Sequence, residues 1–346
     1  MTRSASAPGR ICLFGEHQDY LGLPVTAAAI NLRCRVDVTP RPDRLVVFHL
    51  PDLREKRTLD LDALPPLQSR DYIASVLRLG REEGWLRRDG FDATVRSDIP
   101  MAAGTSSSTA FVLALCAALA DRNPTQADLV RRAHAAEVVA FNEPGGLMDH
   151  ASCGFGGLRT IAFTPEFATS PVPMPAGAAW VLGDSLQPKD TLQILARAKD
   201  ARLALLSRTH ESFDLTTAGA VPAGIWSEAE RALWQATLDN RDISAAGTRA
   251  LETGDLEAIG AHLSAHHAVL RDALGLSTPR IEAMLESALK HGALGGKLNG
   301  SGGGGCCFVL CHPEDAESIA AAMTEAGGIG MPVAIDTAGV TISDTP

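Results

Sequence analysis

A loop of small and hydroxyl-bearing residues, Gly-Thr-Ser-Ser-Ser at positions 104–108, is the first stretch of this chain that could do chemistry. Residues 91–97 before it alternate as in a half-buried strand, and residues 111–120 after it have the Ala/Leu content of a buried helix. Free backbone N–H groups at a helix start bind phosphate, and serine hydroxyls add donors or a magnesium ligand. A Ser/Thr-rich helix cap without any ligand is the alternative interpretation.

Two carboxylates, Glu137 and Asp149, are the next candidates. Glu137 lies on a helix predicted over residues 126–141, and Asp149 follows the turn-forming residues 142–146. One could hold a metal ion while the other accepts a proton, provided that the fold brings both to the loop at residues 104–108, called here the serine loop. Solvated surface charges are the alternative, although apolar and small neighbours make exposure of Asp149 less expected.

Four polar side chains lie within ten residues of one another, at the start of an apolar strand predicted at residues 10–14 and in the turn that follows it. They are Arg10, Glu16, His17 and Asp19. Such a cluster could hydrogen-bond several hydroxyl groups of a polar ligand, and an ordinary salt-bridged loop is the alternative.

A glycine-rich loop at residues 300–305 matches the pattern G-x-G-x-x-G. The dinucleotide fingerprint must follow a strand and open a helix, whereas this loop follows a predicted helix and opens the apolar strand 306–310. Its glycines therefore predict a close backbone approach to a neighbouring loop or a phosphate, with a tight turn as the alternative.

The composition limits the function classes. The 346 residues are 45% hydrophobic and 21% charged, without an apolar run of bilayer-spanning length or the apolar core of a signal peptide. Seven cysteines, an odd number, favour reduced thiols, so we expect a cytoplasmic protein. The net charge of −10 disfavours nucleic acid as a partner, but it leaves room for a nucleotide pocket.

Strands and helices alternate along the chain in the manner of an α+β protein. A proline-rich segment at residues 164–176 predicts a boundary between domains 1–175 and 176–346. The predicted strands are residues 10–14, 33–39, 91–97, 157–163, 179–183, 306–310 and 333–335. The predicted helices are residues 71–83, 111–120, 126–141, 191–208, 227–238, 255–273, 278–290 and 313–326.

Three segments together resemble, in order and spacing, the signature motifs of the GHMP kinases, which phosphorylate galactose, homoserine, mevalonate and phosphomevalonate. They are residues 8–20, 100–108 and 297–305. The resemblance spans nearly the whole chain and implies ATP and Mg²⁺ as cofactors. It also implies the family's two-domain α+β fold, with a ribosomal-protein-S5-like N-terminal domain, a ferredoxin-like C-terminal domain and the active site in the cleft between them.

Within that family, Gly-Glu-His-Gln-Asp-Tyr at 15–20 and Gly-Leu-Met-Asp at 146–149 are most similar to galactokinases. The resemblance implies that Asp149 is the catalytic carboxylate facing an anomeric hydroxyl and that Arg10 steadies the developing charge. Ser108 and Glu137 would hold magnesium.

The resemblance further implies binding roles for the loops. Sugar hydroxyls would contact Glu16, His17, Asp19 and Gly146. Nucleotide phosphates would lie against Gly104, Thr105, Ser106, Ser107, Ser108, Gly302 and Gly303. Adenine would lie over apolar and aromatic residues that include Tyr72.

Several positions depart from the galactokinase pattern. Asn299 stands in place of a threonine, Thr105 in place of a leucine and His150 in place of a glutamine. No tyrosine of the second domain aligns with the one that galactokinases place over the sugar, and residues 184–191 are similar to a loop found in mevalonate kinase among other members.

We therefore expect a sugar 1-kinase, acting as a monomer or homodimer on a small-molecule sugar and ATP, with no nucleic acid or membrane partner. Mevalonate kinase is the nearest alternative, but the Asp19 carboxylate would repel a carboxylated acceptor, and a uronic acid is disfavoured for the same reason. A non-catalytic sensor of sugar and ATP is the alternative from a different class.

Overall fold

The structure, a computed structural model, describes residues 2–86, 89–143, 146–163, 166–188, 191–210 and 213–345, with only the backbone for residues 191–197 and 345. The described strands, in chain order, are β1 (Thr2–Phe14), β2 (Val25–Pro40), β3 (Leu45–Leu50), β4 (Glu55–Asp60), β5 (Phe91–Ser97), β6 (Leu158–Ala162), β7 (Ala168–Pro171), β8 (Ala179–Asp184), β9 (Gly295–Leu298), β10 (Cys306–Cys311), β11 (Ile329–Val333) and β12 (Thr341–Thr345).

The described α-helices are α1 (Tyr72–Glu82), α2 (Ser107–Leu119), α3 (Gln126–Glu137), α4 (Met148–Phe155), α5 (Thr191–Leu206), α6 (Glu228–Thr253), α7 (Leu256–Ala268), α8 (Pro279–Lys290) and α9 (Ala316–Glu325). Short 3-10 turns and one π-turn complete the described secondary structure.

The first sheet is built around the long antiparallel pair β1 and β2. Its strand order is β12-β1-β2-β5-β3-β4, and β6 extends it from β2 to β7. The register of β1 against β2 shifts between Pro8 and Gly9. A side chain at Gly9 would lie 2.7 Å from the carbonyl oxygen of Thr105, so the glycine lets β1 approach the serine loop.

Helix α2 packs in the centre of the first half of the chain. Ten of its 13 residues are buried, against β1, β2, α3 and α4. Because it is covered on nearly all sides, its sequence is apolar from Ala110 to Leu119 and lacks an amphipathic stripe.

The second sheet has the antiparallel order β11-β8-β10-β9. Helices α8 and α9 contribute to the apolar core on one of its faces. A further apolar cluster joins the two sheets, since it contains Ile11 and Phe14 of β1 together with Leu182 of β8 and Phe308 of β10. The two sheets with their helices confirm the predicted α+β fold class.

The structure also differs from the sequence-based expectation at several elements. Strands β3, β4, β7, β9 and β12 were not predicted, and the expected last strand at residues 333–335 is instead β11, ending at Val333. Strand β12 pairs with β1, so the chain returns to the first sheet at its end. Pairing between distant segments supplies the hydrogen bonds of such strands, and local pattern does not reveal them.

The division into domains 1–175 and 176–346 stays a prediction; residues 164 and 165 of the predicted boundary segment lie outside the described residues. Over the described part of the chain, no helix combines the length and apolar content that crossing a membrane requires.

Candidate active site

Most of the residues singled out in the sequence meet in one cavity of about 830 Å³. The predicted site residues that line it are Arg10, Glu16, His17, Asp19, Tyr72, Gly104, Ser106, Ser107, Ser108, Glu137, Gly146 and Asp149. Residues from four separate stretches of the chain, at 10–19, 72, 104–108 and 137–149, therefore share one cavity.

Arg10 joins the serine loop to Asp149. Its Nε and Nη2 lie 2.8 and 2.7 Å from the same carboxylate oxygen, Oδ1 of Asp149, and its Nη1 donates to the carbonyl oxygen of Gly104. The Arg10 side chain is only 4% exposed, whereas that of Asp149 is 30% exposed. The guanidinium is thus fixed behind a carboxylate that a ligand in the cavity can reach.

The electrostatics of this pair keep Asp149 ionised. Burial of its carboxyl group raises the pKa. The charge and hydrogen bonds of Arg10, together with the nearby Ser106 hydroxyl, lower the pKa by more than burial raises it. The net pKa of Asp149 is below its usual value.

The serine loop has the backbone of an anion-binding concavity. Ala102, Gly104 and Ser106 have positive φ angles of 53°, 85° and 60°, alternating with other residues immediately before helix α2. Such alternation turns successive N–H groups toward one side. Ser106 makes no side-chain capping bond to the helix, and its buried Oγ lies near the Asp149 carboxylate without a partner in hydrogen-bond geometry. The Ser106 side chain therefore does not act as an ordinary cap, which favours the phosphate interpretation.

Glu137, at the end of α3, has the properties of a metal ligand. Its carboxylate is buried, and its Oε2 lies 2.9 Å from Nε2 of His150 without meeting hydrogen-bond geometry. A buried carboxylate oxygen and the Ser108 hydroxyl are the hard oxygen donors that Mg²⁺ prefers. Within the described residues there is no group of three or more His, Cys, Asp or Glu able to hold a metal. The residues thus fit an ion that takes its other ligands from phosphate and water.

Glu16 is held by a lysine that sequence reasoning did not assign. Lys297 of β9 is fully buried, and its Nζ donates to Oε2 of Glu16 over 3.0 Å and to the carbonyl oxygen of Cys12 over 2.8 Å. The amide of Gly300 donates to the same Oε2 over 2.9 Å. Burial raises the pKa of Glu16, but the charges of Lys297 and Arg10 lower it by a larger amount, so the carboxylate stays ionised. The sequence signal that could have pointed to Lys297 is its position as a charged residue among the glycines of segment 295–300.

Asp19 and Gly146 are in close contact with each other in the wall of the cavity. A Cβ at position 146 would lie 2.2 Å from Oδ2 of Asp19, so glycine is required there. Burial and the neighbouring charge of Asp149 raise the pKa of Asp19 to about 6. Two carboxylates of different pKa therefore face the same space.

His17 lines the cavity, but both of its ring nitrogens have protein partners. Nε2 lies 3.1 Å from the carbonyl oxygen of Ser301, and Nδ1 lies 3.4 Å from the Tyr20 hydroxyl. Burial and the charge of Arg202 lower the pKa of His17 to about 4, so the ring is neutral at pH 7.

Three of the predicted site residues do not line the cavity. Thr105 is fully buried, and its hydroxyl donates to the carbonyl oxygen of Pro100. Gly303 donates its N–H to the carbonyl oxygen of Leu276 over 2.7 Å, and Gly302 packs against the same residue. From the glycine-rich loop, Gly300 and Ser301 reach the cavity instead.

Asn299, one of the departures from the expected motif, binds three backbone groups. Its Oδ1 accepts from the amide of Cys12 over 2.9 Å, and its Nδ2 donates to the carbonyl oxygens of Gly104 and Arg10 over 2.8 and 3.3 Å. A threonine could not supply both the amide oxygen and the two amide donors. Asn299 thus ties all three motifs together.

Comparison with known proteins gives matches along most of the chain. Residues 71–157 match the GHMP kinases N terminal domain, residues 248–329 match the GHMP kinases C terminal family, and residues 2–40 match the galactokinase galactose-binding signature.

Similar curated proteins carry two different names. Mevalonate kinase of Thermococcus gammatolerans is 27% identical over 356 aligned positions, covering 98% of each chain. Galactokinase of Chloroflexus aurantiacus is 29% identical over 348 positions, covering 94% of this chain and 87% of that protein. Among solved structures, Lactococcus lactis galactokinase complexed with galactose superposes with a TM-score of 0.83 at 23% identity, covering 98% and 95% of the two chains. The last likeness shows a shared fold.

Proposed function

Since the chain belongs to the GHMP kinase family and is therefore a small-molecule kinase, we propose that it transfers the γ-phosphoryl group of ATP to the anomeric hydroxyl of a monosaccharide. The observation that carries this proposal is the position of Arg10, which contacts both Asp149 and the carbonyl oxygen of Gly104. A carboxylate and an anion-binding loop are thereby held on two sides of one cavity, as a transfer between a hydroxyl and a phosphate requires. The galactose-binding signature over residues 2–40 favours a sugar as the acceptor.

In the proposed reaction, Asp149 orients the acceptor hydroxyl and takes its proton as the new O–P bond forms. Its pKa is lowered, so it is ionised at neutral pH but is a weak base. Phosphoryl transfer passes through a loose transition state in which positioning and charge neutralisation matter more than base strength. Arg10 stabilises negative charge that develops beside Asp149.

The nucleotide phosphates would lie against the serine loop. The N–H groups from Gly104 to Ser107 would donate to them, and the buried Ser106 hydroxyl has an unused donor there. Ser108 and Glu137 would hold Mg²⁺, which when bound neutralises charge on the transferring phosphate.

The acceptor would occupy the side of the cavity formed by Glu16, Asp19 and Gly146. Carboxylates accept hydrogen bonds from hydroxyl groups, so two of them suit a polyhydroxy acceptor. With a pKa of about 6, Asp19 is mostly ionised at pH 7 and opposes an acceptor that carries a carboxylate. The Asp19 carboxylate therefore disfavours mevalonate and uronic acids, although several relatives are named mevalonate kinase.

A coupled ADP-release assay tests the proposal. Galactose, other hexoses, uronic acids and mevalonate would each be offered with Mg-ATP, and the product would be identified by ³¹P NMR. We expect release with a neutral hexose and a sugar 1-phosphate as product. Turnover with mevalonate alone would overturn the sugar proposal. ATP binding in calorimetry without turnover of any acceptor would instead indicate a sensor.

A further inference from the structure

A chain of hydrogen bonds runs from helix α5 to the glycine-rich loop. It passes through the turn at residues 16–20, called here the acceptor turn because Glu16 and Asp19 are proposed to bind the acceptor. Arg202 of α5 donates from Nη2 to the Tyr20 hydroxyl, which lies 3.4 Å from Nδ1 of His17. Nε2 of His17 lies 3.1 Å from the carbonyl oxygen of Ser301. The four residues come from three separate parts of the sequence.

The proton positions along this chain follow from donor and acceptor chemistry. A carbonyl oxygen only accepts, so the proton of a neutral His17 ring lies on Nε2. Nδ1 is then an acceptor, and the Tyr20 hydroxyl must donate to it. A guanidinium only donates, so Arg202 donates to the Tyr20 oxygen. Each group has one consistent role, which selects a single tautomer of His17.

The cost of this arrangement indicates that it has a use. Arg202 is only 2% exposed, and burial lowers its pKa, although Tyr20 partly opposes the shift. His17 has a φ of 61°, a left-handed conformation that a residue with a side chain rarely adopts. Such conformations persist where the surroundings hold them, often at binding sites.

The last link reaches the proposed nucleotide side. Ser301 follows Gly300, whose Cα lies so close to the serine loop that a Cβ there would be 2.7 Å from the carbonyl oxygen of Gly104. The turn that carries Glu16 and Asp19 is thus held between α5 and the loop that touches the proposed phosphate site.

We infer that Tyr20 and Arg202 are positioning residues, which hold His17 in the Nε2-protonated form so that the ring anchors the acceptor turn instead of binding the acceptor through a nitrogen. The part of this inference that concerns the acceptor rests on the proposed function. The part that concerns His17 does not.

The first test is ¹⁵N NMR of histidine-labelled protein, with the His17 signals assigned by their loss in His17→Gln. In the wild type at pH 7 we expect a protonated Nε2 and a hydrogen-bonded, unprotonated Nδ1. Tyr20→Phe removes only the hydroxyl group that donates to Nδ1, so we expect a shift of the Nδ1 resonance toward that of an acceptor without a hydrogen bond. A wild-type ring protonated at Nδ1, or an unchanged Nδ1 signal in Tyr20→Phe, would overturn the inference.

The second test is steady-state kinetics. We expect Tyr20→Phe and Arg202→Met to raise the acceptor KM about tenfold, the effect of about one lost hydrogen bond, with kcat changed much less. Arg202→Lys, which keeps a donor, should recover part of the loss. Arg208→Met is the matched control, because Arg208 is 47% exposed and pairs with Glu230. If Tyr20→Phe lowered kcat by as large a factor as it raised KM, that result would contradict a positioning role.

The two tests separate the possible failures. If no acceptor is phosphorylated, the proposed function fails while the NMR result still decides the state of His17. Thermal unfolding shows whether Arg202→Met folds. If it does not fold, Tyr20→Phe still tests the positioning role, because it removes only one hydroxyl group.

Discussion

The side chain of Asn299 donates from Nδ2 to the carbonyl oxygen of Gly104 over 2.8 Å, which attaches the glycine-rich loop directly to the serine loop. The same amide also contacts backbone groups of Arg10 and Cys12. One fully buried side chain therefore satisfies polar groups from two other segments of the cavity wall.

We expect Asn299→Ala to lower the free energy of unfolding by about 2–4 kcal/mol, because it leaves buried backbone groups unpaired. Asn299→Asp has the same shape but places one oxygen atom, in the position of Nδ2, against two carbonyl oxygens, so it should destabilise at least as much. Urea denaturation measures both. Near-wild-type stability of both variants would show that the three segments hold together without this amide.

Asp149→Asn should keep nucleotide affinity but reduce turnover by at least about a hundredfold, as expected for loss of a positioned proton acceptor. Calorimetry with ATP and a coupled ADP assay measure the two quantities. Asp272→Asn is the control, since that carboxylate is 64% exposed and pairs with adjacent Arg271. A rate close to that of the wild type would remove Asp149 from the proposed role.

Glu137→Gln should weaken metal binding at least about tenfold in the presence of nucleotide, because the amide keeps the shape but loses the charge that attracts a hard cation. Electron paramagnetic resonance of Mn²⁺, used in place of Mg²⁺, reports free and bound metal without turnover. Unchanged Mn²⁺ affinity would mean that this buried carboxylate serves only His150.

Gly146→Ala should raise the acceptor KM at least about tenfold, because the new methyl group would displace the Asp19 carboxylate. Nucleotide affinity should not change, since the three atoms nearest to the added Cβ all belong to Asp19 and none to the serine loop. Gly219→Ala is the matched control, because no atom lies within 4 Å of its added Cβ. A normal KM in Gly146→Ala would indicate that Asp19 does not bind the acceptor.

The raised pKa of Asp19 makes a prediction about stability and pH. Between its usual value of 3.8 and about 6, the folded state binds more protons at this site than the unfolded state does. The contribution of Asp19 to stability therefore falls as pH rises through that window. We expect the stability of Asp19→Asn relative to the wild type to increase from pH 4 to pH 6 and to level off above pH 7. Urea denaturation across this range checks it, and a constant difference would contradict the shift.

Much of the local structure was predictable because it depends on short-range pattern. Helices α1 and α8 begin within one residue of the predicted positions, after Asp71 and Thr278, whose side chains cap them. Helix α6 was predicted to end near residue 238 but continues to Thr253, because packing against α7 and β1 sustains it past a polar stretch. Gly302 and Gly303 were expected to lie against the nucleotide phosphates, but Gly303 donates its N–H to Leu276 and Gly302 packs against the same residue.

The sequence by itself determined the kinds of groups available and their order: a hydroxyl-rich helix start, carboxylates at 137 and 149, and a polar turn at 16–19. Residue type and near-neighbour spacing are enough for that, since they set backbone preference and side-chain chemistry. Only the tertiary structure decided that Lys297 neutralises Glu16, that Arg10 links Asp149 to the serine loop, and that Tyr20 and Ser301 occupy both nitrogens of His17. These partners are up to 284 residues apart in the chain, and burial in a shared low-dielectric core, which no local pattern records, brings them together and sets their charge states.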